Sequence, residues 1–100
     1  MNENRPSELV HLLFANKNVR VERIFSLGVV SPDNFWYDQD DGELVLIERG
    51  DARIEFDDGG ERSVQPLSEG DYFYITPHRK HRVTYTSQDC VWNCVFVKEK

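Results

Sequence analysis

Two short segments of the chain carry side chains of the types that do chemistry. The first runs from the acidic loop Asp38-Gln39-Asp40-Asp41 through Glu43 into the apolar run Leu44 to Ile47. The second, Gly70 to His81, ends on an imidazole and carries another, His78, three residues earlier. His81 shares strand parity with Val83 and Tyr85, so it faces the interior if those two do. A carboxylate and an imidazole inside an apolar domain have two uses. They can ligate a divalent ion, since a neutral imidazole nitrogen and a hard carboxylate oxygen are both donors. Alternatively they form a buried hydrogen-bonded pair, because burying either alone is costly. Such a pair is also a candidate general base.

The elements that must position these groups are short. Ser7 to Phe14 is a candidate for one or two helical turns, with Ser7 as N-cap after Pro6. Val19, Val21, Phe25, Leu27 and Val29 then recur with a period of two, and only Arg23 breaks that apolar face. Ser31 to Asn34 is a turn, and Glu43 to Glu48 reads as a strand covered on both sides. Ala52, Ile54 and Phe56 alternate with Asp51, Arg53 and Glu55, and Asp57-Asp58-Gly59-Gly60 is a hairpin signal. Glu61 to Leu67, Tyr72 to Thr76, His81 to Thr86 and Cys90 to Val97 complete the set, with turns at Ser68 to Asp71 and at Pro77-His78. Seven or eight short strands with tight turns predict an all-β, antiparallel sandwich or barrel.

Composition bounds what this domain does. One hundred residues, 39% apolar and 12% aromatic, support one core without a staple. Cys90 and Cys94, on one strand, would lie about 13 Å apart, too far for a disulfide; both are read as reduced, buried thiols. The N-terminus lacks an apolar leader segment and no 18-residue apolar run occurs, so a cytoplasmic location is expected. A net charge of −6 and a pI near 4.9 argue against a nucleic-acid backbone or an anionic membrane as partner. The cations Arg79, Lys80 and Arg82 read as a solvated loop. No repeat, linker or low-complexity tract interrupts the chain.

The two chemistry-bearing segments resemble the paired motifs of the cupin superfamily. Glu43 followed by Gly50 resembles the end of the first motif, in which two histidines precede the glutamate. Gly70, Asp71, Ile75 and His81 stand at the spacing of the second, with Thr76 where that motif has proline and Pro77 after it. About twenty residues separate the two, as in cupins. The likeness extends from Val19-Arg-Val-Glu-Arg-Ile24 through Phe35-Trp-Tyr-Asp-Gln39 and His78-Arg-Lys-His-Arg-Val83 to Val91-Trp92, and is to small bacterial single-domain cupins. It implies an antiparallel cupin jelly-roll β-barrel over residues 18–100, preceded by a segment, residues 1–17, with the short helix.

The resemblance also implies a metal site, from which this sequence departs. Tyr37 and Gln39, or Trp36 and Asp38, stand where the histidine pair is called for. What survives is Glu43, His81 and Gln39, whose amide oxygen could ligate, with His78 as an extra imidazole if it turns inward. The candidate ions are iron, manganese, nickel or zinc. Tyr37, Tyr85 and Trp92 are the aromatic candidates for a pocket wall. Arg23 is the candidate grip for an anionic substrate, with a surface salt bridge as its plainer role. Asp38 to Gly42 fails the calcium-loop pattern, since its glycine comes one position early. His11 reads as surface, and neither cysteine has a neighbouring histidine to activate it.

Three functions follow from these residues. One is a metal-dependent enzyme, an oxygenase, isomerase or lyase acting on a small molecule. Another is a metal-free binding or sensing barrel. The third is a packed barrel acting as a homodimeric interaction module, with Glu43 and His81 as a structural pair.

Overall fold

The computed structural model describes residues 9–99. Eight antiparallel strands form two sheets: β1 (Leu9–Ala15), β2 (Val19–Phe25), β3 (Gly42–Arg49), β4 (Asp51–Asp58), β5 (Glu61–Ser68), β6 (Tyr72–Ile75), β7 (His81–Thr86) and β8 (Val91–Val97). The larger sheet has the order β1-β2-β8-β3-β6 and the smaller β5-β4-β7. The chain is therefore an all-β jelly roll. Its core lies where Val45, Ile47, Trp92 and Cys94 of one sheet meet Ala52, Ile54, Phe56 and Leu67 of the other. Cys90 and Cys94 are both buried, and neither is in a disulfide.

The helix expected over Ser7 to Phe14 is replaced by strand β1; Ser7 itself lies outside the described residues. The cause is a turn that competes with helix formation. Asn16 Oδ1 accepts from the backbone N–H groups of Asn18 and Val19, each at 2.8 Å, and folds β1 back on β2. Pairing then runs from Leu9 opposite Phe25 to Ala15 opposite Arg20, with a bulge at Leu13. β1 is an edge strand, and Leu9, Leu12, Leu13 and Phe14 remain more than half exposed.

Turn chemistry holds the segments that carry the site. Gly50 and Gly70, the two motif glycines, adopt φ of 81° and 90°, a left-handed backbone that other residues rarely take. A side chain at Gly50 would also collide with Ser87. Pro66 is tolerated because β5 is an edge strand, with one side free of ladder bonds. The long connection from β2 to β3 runs beside β7: Ser31 N–H donates to the Val83 carbonyl at 3.0 Å, and Tyr37 and His81 exchange backbone hydrogen bonds of 2.7 and 3.1 Å. That connection brings Tyr37 and Gln39 over the open end of the barrel.

Candidate functional site

The open end holds a cavity of about 230 Å³, lined on its polar side by Arg20, Glu22, Tyr37, Gln39, Glu43 and His81, with Ile54, Ile75, Val83, Trp92 and Phe96 among its apolar walls. Glu43 enters from β3 opposite Ile75 and Phe96. His81 enters from the start of β7 opposite Phe56. Both are buried, at 8% and 4% exposure, so each needs a partner inside.

The pairing is specific. His81 Nδ1 lies 2.8 Å from the Arg79 carbonyl oxygen. A carbonyl only accepts, so Nδ1 carries the proton and Nε2 is turned to the cavity. Nε2 stands 3.8 Å from Glu43 Oε1, and the Gln39 amide nitrogen donates to that same oxygen at 2.9 Å. Tyr37 stacks on the imidazole with ring centroids 5.3 Å apart. A carboxylate and an imidazole nitrogen thus face one small space, each held from behind.

The other expected residues go elsewhere. His78 turns outward with φ of 62°. Its Nδ1 is 2.7 Å from Asp38 and its Nε2 3.2 Å from Asp40, on the surface. Its backbone N–H donates to the Gln39 carbonyl at 2.8 Å. His78 therefore fastens the loop that carries Gln39. Tyr85 also faces outward, because a bulge at Thr84 reverses the parity of β7 after Val83; its ring lies 4.7 Å from the Arg53 guanidinium. Arg23 pairs with Glu48 through two hydrogen bonds of 2.9 and 2.5 Å on the outer face. Trp92 and Tyr37 do line the cavity, and the Trp92 ring N–H donates to Ser26 at 2.8 Å.

Arg20 and Glu22 are the site residues that sequence reasoning missed. The apolar phase of β2, Val19, Val21 and Phe25, faces outward, and the phase Arg20, Glu22, Ile24 faces the cavity. The usual polarity is inverted at the barrel mouth because the interior there is a polar site rather than core.

The His78 clamp is pH-dependent. The hydrogen bond with Asp38, aided by the charges of Asp38 and Asp40, raises the His78 pKa above its usual range. The imidazolium form is thus stabilised in the fold, and its contribution is full below the ordinary histidine range and lost as pH rises through the raised value. The melting temperature of the wild type is expected to fall relative to His78→Gln as pH rises from the ordinary histidine range through the raised value. Parallel melting curves for the two proteins across that range would disprove the clamp.

Whether a metal fits is decided by the donor set. Among the described residues no group of three or more histidine, cysteine or acidic side chains converges to hold an ion. As the site stands, Gln39 presents its amide nitrogen, not its oxygen, to Glu43. Glu43 and His81 are then two donors facing one space, where catalytic zinc sites use three. In this arrangement the donor set is a poor fit to a resident metal.

A scan against protein-family models and a search of the curated proteins find no match. Solved structures do match. A Ralstonia eutropha protein provisionally named a mannose-6-phosphate isomerase is 33% identical over 94% of this chain and 87% of its own, with a TM-score of 0.86. A cupin superfamily protein from Desulfitobacterium hafniense is 18% identical over 99% of this chain and 84% of its own, with a TM-score of 0.78. This chain belongs to the cupins. The Bacillus subtilis oxalate decarboxylase, a protein with Mn(II) centres, shares the fold at 19% identity and a TM-score of 0.68; the match covers 81% of this cupin and 21% of the decarboxylase. Among the described residues no helix is long and apolar enough to cross a membrane.

Proposed function

We propose that this cupin is a small-molecule-binding barrel that works without a resident metal. The reading is carried by one observation: Glu43 Oε1 and His81 Nε2, 3.8 Å apart, face a cavity at the mouth of an otherwise apolar interior. An acceptor carboxylate, an imidazole, an amide and a phenol ring around about 230 Å³ suit a compact molecule bearing several hydroxyl groups. The Arg79 carbonyl and Gln39 hold the two central groups in place, so little ordering accompanies binding.

The proposal is tested on protein dialysed against a chelator. It is expected to keep its melting temperature and to be stabilised by at least one small hydroxylated compound, because a ligand that binds only the folded state raises stability by mass action. A fall in melting temperature on chelation, absent in His81→Ala, would replace this reading with a metal site.

A further inference from the structure

We infer that the ligand carries one anionic group, a carboxylate or a phosphate, which docks on Arg20 while its hydroxylated body reaches Glu43 and His81. This rests on the binding function proposed above and names its ligand class. Arg20, Phe96, Glu43 and Ile75 form one register row across β2, β8, β3 and β6. Arg20 and Glu43 are therefore two strands, about 10 Å, apart along the cavity wall. A ligand with polar groups at both ends can therefore reach both side chains from one face of the sheet.

Arg20 is built as an anion fork. Its Nε donates to Glu22 at 2.9 Å, and its guanidinium lies 4.1 Å from the Phe96 ring centroid. The side-chain hydrogen bond made by Arg20 among the described residues uses Nε, which leaves the two terminal amino groups to meet a ligand. Glu22 acts here as a positioning residue, since it and Phe96 set the plane of the fork before any ligand arrives.

The charge around the fork has a direction. Arg20 and Phe96 also line an adjoining groove together with Lys17, Lys98 and Asp41. Three cations and one acid on that side contrast with the net charge of −6 for the whole chain. The carboxylates of Glu22 and Glu43 lie on the cavity side. An anionic group is favoured on the groove side of Arg20, and the neutral body on the Glu43 side.

The test is a resonance-detected titration of the chelator-treated protein with glucuronate, glucose 6-phosphate, glucose and inorganic phosphate. Glucuronate or glucose 6-phosphate is expected to bind about tenfold or more tighter than glucose, shifting Glu43 and His81 as well as Arg20. Arg20→Gln should erase the difference and Arg20→Lys should restore part of it. Equal affinity for glucose and its anionic counterparts would overturn the anion inference and leave the binding function standing. So would anion binding that Arg20→Gln does not weaken, or phosphate and sugar anions that move Lys17 and Lys98 alone. If no probe moves Glu43 or His81 while an uncharged hydroxylated compound stabilises the protein, the ligand class is wrong. If nothing does either, the binding function falls with it.

Discussion

His81→Leu is expected to destabilise the fold by about 3–5 kcal/mol, whereas Glu43→Leu is expected to be neutral or mildly stabilising. The asymmetry follows from what each change leaves behind. Removing His81 leaves the Glu43 carboxylate in a cavity walled by Ile54, Ile75 and Val83, with Gln39 as its hydrogen-bond donor. Removing Glu43 leaves an imidazole that keeps its bond to the Arg79 carbonyl. Gln39 is half-buried and reaches water, so its amide is not stranded. A domain this size shifts by about 4–8 °C per kcal/mol, so the two variants should melt well apart. Urea unfolding of both beside the wild type checks this. If Glu43→Leu loses as much stability as His81→Leu, the pair is a structural bridge and the cavity is no binding site.

Phe56→Ala should cost about 3–5 kcal/mol. Phe56 is 1% exposed. It packs at 5.6 Å from Phe73 and 6.1 Å from His81, and the Arg79 guanidinium lies 3.8 Å from its ring centroid. The ring thus ties the two sheets together and backs the residue whose carbonyl orients His81. Truncation opens a void that Phe73 and His81, fixed by β-sheet pairing, fill poorly. Phe56→Leu, nearer in volume, should recover most of the loss. A penalty for Phe56→Ala under about 1.5 kcal/mol in urea unfolding would show that the floor of the site collapses freely and does not hold His81 in place.

Much of this was legible in the sequence, for physical reasons that also explain the rest. Alternation in Asp51 to Phe56 and the glycines of the Asp57 to Gly60 turn give β4 and β5 directly, because one face of that sheet is dry core. Glu43 and His81 were legible because a charged or titratable group next to an apolar run is costly and therefore informative. β1 reads as helical in the sequence because its turn is made by the side chain of Asn16, a short signal beside an apolar run that suits either structure. Tyr85 was placed inside because a bulge at Thr84 leaves no mark in the residue types. Arg20 and Glu22 do not stand out in the sequence and Arg23 does, because the strand at the barrel mouth turns its polar phase inward. His78 reads as a possible ligand until Asp38 and Asp40 are seen to meet both its nitrogens.

The most direct measurement is the titration of chelator-treated protein with small hydroxylated compounds, following Tyr37, Gln39, Glu43 and His81 in the wild type and in Glu43→Leu. The account predicts saturable shifts centred on these four residues with no metal present, lost in a variant that remains folded. Shifts that appear only after manganese or zinc is added, or that persist unchanged in Glu43→Leu, would contradict it.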